Sequence, residues 1–101
     1  ASRQPSKRGS QPVMGALDLF SRRHVLRILW ELHCAGQLGF NDLRRACDDL
    51  SPDTLSARVR EMKASGLLDG GGSKPVRLTP AARALAPHLL ALTRWARDTG
   101  F

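Results

Sequence analysis

The most constraining feature of this chain is Ser51-Pro52-Asp53, with Gly66 following thirteen residues after Asp53. Serine is a favoured N-cap, proline fits the first helical position, where its missing N–H costs nothing, and an acidic residue suits the first turn. Gly66 supplies the left-handed conformation that ends such a helix. The spacing predicts a helix over 52–65 with Leu55, Val59 and Met62 on one face. A short amphipathic segment with Phe40, Leu43, Ala46 and Cys47 precedes it, closed by Asp48-Asp49. Leu67-Leu68 and Val76-Arg77-Leu78 follow, joined by a glycine-rich polar turn over 69–74. These read as two short strands in a hairpin. A helix pair with a tight connection and then a two-stranded wing is the winged helix-turn-helix arrangement.

The rest of the chain is helical. Val13, Ala16, Leu17 and Phe20 form one stripe from Pro12 onward. Ser21 reads as the N-cap of a second helix, in which Val25, Ile28, Leu29 and Leu32 recur at helical spacing before Gly36 stops it. Thr79 with Pro80 caps a last helix carrying Leu85, Leu89, Leu90, Leu92, Trp95 and Ala96, bent by Pro87. The expected class is mainly α with a small β-hairpin. Residues 1–11 are expected to be a disordered basic arm and residues 12–101 the winged-helix domain.

With 101 residues, 42% hydrophobic, the chain is long enough to bury one core without metal or disulfide support. It is too short for the repeated βαβ units of a catalytic α/β cleft, and no Ser-His-Asp or paired-carboxylate constellation is visible, so no enzyme is expected. No apolar run reaches the length of a membrane span and no leader is apparent, which points to the cytoplasm and to no membrane partner. Neither a cofactor nor a metal is expected, since His33, Cys34 and Cys47 have none of the paired spacings of zinc sites.

The formal charge of +7 favours association with nucleic acid, although Arg3, Lys7 and Arg8 belong to the arm and the stretch 31–50 is net negative. The expected partner is double-stranded DNA. On the capped helix, the face opposite the core carries Asp53, Ser56, Ala57 and Arg60, with Thr54 and Arg58 on its flanks. Thr54, Ser56 and Ala57, beside the cap Ser51, are placed to meet bases. Asp53 repels phosphate unless it accepts from a cytosine amino group. Arg58 and Arg60, Ser21, Arg22 and Arg23 at the start of the second helix, and Lys74 on the hairpin are candidates for phosphate. The alternative for Arg58 and Arg60 is a solvated ridge pairing with Glu61. About six such contacts give an affinity that falls with salt at a logarithmic slope near −5.

Both cysteines read most simply as buried packing residues. A redox role suits Cys47 poorly, because Asp48 and Asp49 follow it and raise a thiol's pKa; Cys34, next to His33, is the better redox candidate.

Five stretches stand in order: Ile28-Leu29-Trp30-Glu31-Leu32; Gly36 through Arg45; Leu50-Ser51 with Leu55, Arg58, Arg60-Glu61 and Gly66-Leu67; Leu78-Thr79 with Ala84-Leu85; and Trp95. Together, over about residues 11 to 95, they resemble the HxlR family of winged-helix transcription regulators. The resemblance implies a homodimer built from the first and last helices, here through Val13, Leu17, Phe20, Leu89, Leu92 and Trp95, on a pseudo-palindromic operator. The apolar surplus of the last helix independently favours an interface. Gln11-Pro12-Val13 stands where the family carries Cys-Pro-Val with its redox cysteine, and Ser21-Arg22-Arg23-His24 replaces its G-G-K-W. Gly39 stands where the family has arginine before Phe40. Pro52, Asp53 and Ala57 occupy the family's Gln or Lys positions, and Asp69-Gly70-Gly71-Gly72 replaces its double arginine in a shortened wing. Two other functions fit these residues. One is a small-molecule or redox sensor with an effector pocket at the dimer interface, lined by Phe20, Trp30 or Trp95. The other is a winged-helix protein-interaction module.

Overall fold

The computed structural model describes residues 12–101, so the arm expected over residues 1–11 lies outside the described residues. The element order is α1 (Pro12–Phe20), α2 (Val25–Ala35), β1 (Gln37–Leu38), α3 (Phe40–Ala46), α4 (Pro52–Ala64), β2 (Leu68–Gly71), β3 (Lys74–Leu78), α5 (Pro80–Arg83) and α6 (Ala86–Thr99). The fold is a winged helix, mainly α with a small antiparallel sheet. No helix among the described residues is long and apolar enough to cross a membrane.

The core follows the helical periodicity. Val25, Ile28, Leu29 and Leu32 of α2 are buried against Leu43 of α3, Leu55, Val59 and Met62 of α4, and Leu68, Val76 and Leu78 of the sheet. These side chains are what the unfolded chain exposes, and a fully buried Leu or Ile contributes roughly 1.5–3 kcal/mol. By contrast, α1 and α6 contribute no fully buried residue.

Four expectations need correction. Ser21 does not cap α2: its hydroxyl donates to the Asp18 carbonyl at 2.7 Å, closing the end of α1. The second helix starts four residues later, after His24, which adopts a left-handed φ of 71°. The hairpin strands reach further into the glycine-rich segment, leaving Gly72-Ser73 as the connection, and the sheet has a third strand. Gln37-Leu38 pairs with Arg77 and Val76, so β3 is central in the order β1-β3-β2. The last helix is not one bent rod. Thr79 caps α5 as expected, its hydroxyl accepting from the Ala82 N–H, but the α-helical hydrogen-bond ladder is interrupted at Ala84-Leu85, both of which keep right-handed helical φ and ψ, and resumes at Ala86, with Pro87 in the first turn of α6. Proline lacks the N–H that a helix interior needs, so the ladder is interrupted in the turn before Pro87 and two helices stand where one bent helix was expected.

Candidate nucleic-acid interface

The helix pair α3–α4 is held by its turn. Asp48 and Asp49 take left-handed φ of 60° and 57°, a conformation that short polar residues tolerate best after glycine. Arg27 of α2 spans this turn, donating to Glu31 at 2.8 Å, to Asp48 at 3.1 Å and to the Ala46 carbonyl at 2.7 Å. Arg44 Nε donates to the Leu50 carbonyl at 2.8 Å. These bonds fix how α4 leaves α3. The Arg27–Glu31 spacing is legible in the sequence; the reach to Asp48 depends on tertiary packing.

The start of α4 is built as expected. Ser51 Oγ accepts from the Thr54 N–H at 3.2 Å and donates to Thr54 Oγ1 at 2.9 Å. At its end, Gly66 is left-handed, its N–H donates to the Lys63 carbonyl, and the Leu67 N–H donates to the Met62 carbonyl, the paired bonds of a Schellman motif. With Leu55, Val59 and Met62 inward, Asp53, Ser56 and Arg60 are exposed and Ala57 is partly so.

The arginines separate into two groups. Arg58 is not on a solvated flank. Its side chain is only 24% exposed, it donates to Glu61 Oε1 at 2.7 Å, and its Nε is buried without a partner. Arg22 donates to the other Glu61 oxygen at 3.3 Å, so Glu61 ties the α1–α2 corner to α4. The helix start expected to bring Ser21, Arg22 and Arg23 together is therefore not the one observed: that helix begins at Val25, Ser21 serves α1, and Arg22 faces Glu61. Arg23, Arg60 and Lys74 are exposed, with no ion-pair partner among the described residues.

Wing and helix meet in an open groove of about 420 Å³ lined by Phe40, Ser56, Val59, Arg60, Lys63, Gly71 and Gly72. Lys63 Nζ donates to the Gly70 carbonyl at 2.7 Å and so fastens β2 to α4. Across the wing, Arg77 donates to Asp69 at 3.0 Å, opposite it in register. That hydrogen bond holds the Asp69 carboxyl below the usual carboxylate range, helped by the Gly70 N–H. Lys63 and Arg27 were absent from the expected contacts, whereas the pairing of Arg58 with Glu61 was among the alternatives; all three residues, Lys63, Arg27 and Glu61, act by holding α4, its turn and the wing together.

The thiols differ from the shared buried role expected of them. Cys47 is buried, and burial pushes its thiol pKa up, with Arg27 opposing and Glu31 and Asp48 adding to the rise. Cys34 is exposed. Of the residues expected at a dimer contact, Val13, Leu17, Leu92 and Trp95 are exposed, while Phe20 and Leu89 are half-buried.

The family model for HxlR-like helix-turn-helix proteins matches residues 19–100. The chain belongs to that family. Among its relatives is a Bacillus subtilis protein named as the uncharacterized HTH-type transcriptional regulator YvaP, 34% identical over an alignment of 89 residues that covers 82% of each chain. The quinone-bound YodB of Bacillus subtilis has a similar fold, with a TM-score of 0.78 at 21% identity, covering 87% of this chain and 98% of that one. The redox regulator HypR in its reduced form superposes with a TM-score of 0.67 at 25% identity, over 87% and 92% of the two chains. The protein is thus an HxlR-like transcription regulator, and its relatives are regulators as well.

Proposed function

We propose that this regulator acts in the cytoplasm as a homodimer on a pseudo-palindromic operator, each protomer laying α4 in the major groove of double-stranded DNA. The observation that carries this is the capped start of α4, which presents an outward stripe of Asp53, Ser56, Ala57 and Arg60 beside the wing groove. Ser56 and Ala57 face bases; Arg60, Arg23 and Lys74 meet phosphates. Ser51 and Thr54 set the angle of the helix start, and Arg58 and Arg22 support α4 through Glu61. A second copy covers α1 and α6, where Leu17 is 52% and Trp95 54% exposed. A gel-shift selection from random duplexes tests the reading. Enrichment of two half-sites about one helical turn apart supports it, and recovery of no preferred sequence refutes it.

A second reading adds an effector at the dimer face. Trp95 lies 5.4 Å from Phe101, ring to ring, on the exposed side of α6, and the neighbouring structures include a quinone-bound protein and a redox regulator. Quenching of tryptophan emission by a small quinone, retained in Cys34→Ser, marks a noncovalent effector; quenching lost in Cys34→Ser marks thiol chemistry instead.

A further inference from the structure

Sorting the side chains of α4 by what already holds them leaves few groups free to read a base. The Thr54 hydroxyl is engaged by Ser51, and Arg58 is committed to Glu61. Asp53, Ser56, Ala57 and Arg60 remain, at the i, i+3, i+4 and i+7 positions of one outward stripe. Asp53 is exposed in the first turn and has no hydrogen-bond or ion-pair partner among the described residues. The helix dipole favours an acid there, yet the same position is the leading edge of the face that meets the duplex. A carboxylate at that edge is repelled by phosphates and finds a favourable contact only at a donor. Major-groove edges offer two amino donors, cytosine N4 and adenine N6. Adenine sets its N7 acceptor beside the amino group, where a carboxylate's second oxygen is repelled, whereas cytosine presents no acceptor in the groove. Arg60, two turns on and about 10 Å along the axis, offsets the carboxylate's repulsion from the phosphates.

We propose that Asp53 is a specificity-determining residue that accepts a hydrogen bond from a cytosine amino group in each half-site; this rests on the duplex-DNA reading above. It accounts for an unpaired acid on the one face of a basic protein that approaches a polyanion. An asparagine of the same shape both donates and accepts, which matches the N6–N7 edge of adenine.

The test is selection from random duplexes by wild type, Asp53→Ala and Asp53→Asn, with thermal melts of the three proteins to confirm that each is folded. The expected wild-type half-site has one position dominated by cytosine. Asp53→Ala lowers that preference about tenfold at this position and leaves the others unchanged, and Asp53→Asn moves it to adenine. Identical base preferences for all three proteins, or a uniform loss of preference at every position in Asp53→Ala, overturn the proposal while leaving DNA binding intact. If wild type itself selects nothing, the duplex-DNA reading fails, and the proposal fails with it. Asp53→Asn keeps the side-chain shape, so the outcome does not depend on how well Asp53→Ala folds.

Discussion

Gly70 shows how far one residue can decide a surface. It has a φ of 89°, and a Cβ placed on it lies 1.9 Å from the Pro75 carbonyl oxygen of the facing strand, at the bulge between Asp69 and Gly71. Gly72, at a φ of 63°, has open space around it. Gly70→Ala is expected to lose about 2–3 kcal/mol in urea denaturation, and Gly72→Ala only about 1 kcal/mol, the left-handed penalty alone. Run-length arithmetic on three glycines cannot distinguish them; the difference arises from which one crosses the neighbouring backbone. The same holds for the arginines of α4. Helical spacing sets Arg58 and Arg60 about 200° apart, and packing shows that Glu61 takes Arg58 and leaves Arg60. Arg58→Ala is therefore expected to lower stability by about 1 kcal/mol, with little change in the salt dependence of DNA binding. Arg60→Ala should leave stability within about 0.5 kcal/mol and make the salt slope shallower by about one unit per protomer.

Elements with strong periodicity were legible. The core faces of α2 and α4 appear in the structure with the residues their spacing assigns, and the cap at Ser51 is made as its motif implies. Ser51→Ala should cost about 1 kcal/mol by removing the acceptor for the Thr54 N–H. Where the reading failed, a local signal was outcompeted. Ser21 has the side chain of an N-cap, but the left-handed turn at His24 delays α2, and its hydroxyl finds a nearer partner in the Asp18 carbonyl. β1 is two residues long and has no period to detect; it exists because β3 offers it an edge. The wing itself carries a pH signature. Its Arg77 hydrogen bond lowers the folded pKa of Asp69, so the pair's contribution is complete above the unfolded value of about 4 and is lost as pH falls through the lowered folded value. Melting temperatures of wild type and Asp69→Asn should accordingly differ at pH 7 and converge in acid below about pH 4.

At the scale of the whole molecule, the buried core and most of the exposed apolar surface lie on different helices, Leu26 of α2 being the exception. α2, α3, α4, the sheet and Ala82 of α5 close the core with no fully buried residue from α1 or α6; Phe20 at the end of α1 packs against it, while Val13, Leu17, Leu92 and Trp95 stay exposed. Composition alone could not show this division, because a net count of leucines does not say which helix the core uses. A second copy on that face predicts a dimer in sedimentation at micromolar concentration, and a monomer for Leu17→Glu combined with Trp95→Glu, with the melt of the monomer still cooperative. The overall charge of +7 is likewise divided. Among the described residues, Arg22, Arg27, Arg45, Arg58 and Arg77 face carboxylates and Arg44, Lys63 and Arg83 donate to backbone carbonyls; Arg94 and Arg97 lie on α6, and Arg23, Arg60 and Lys74 of each protomer are the cations proposed to meet a polyanion. In the proposed dimer these cations would make about six phosphate contacts. The most direct test of this account is the affinity of the wild-type protein for its selected duplex across a series of salt concentrations. A logarithmic slope near −5 is expected, and a slope near zero would contradict DNA binding by these cations.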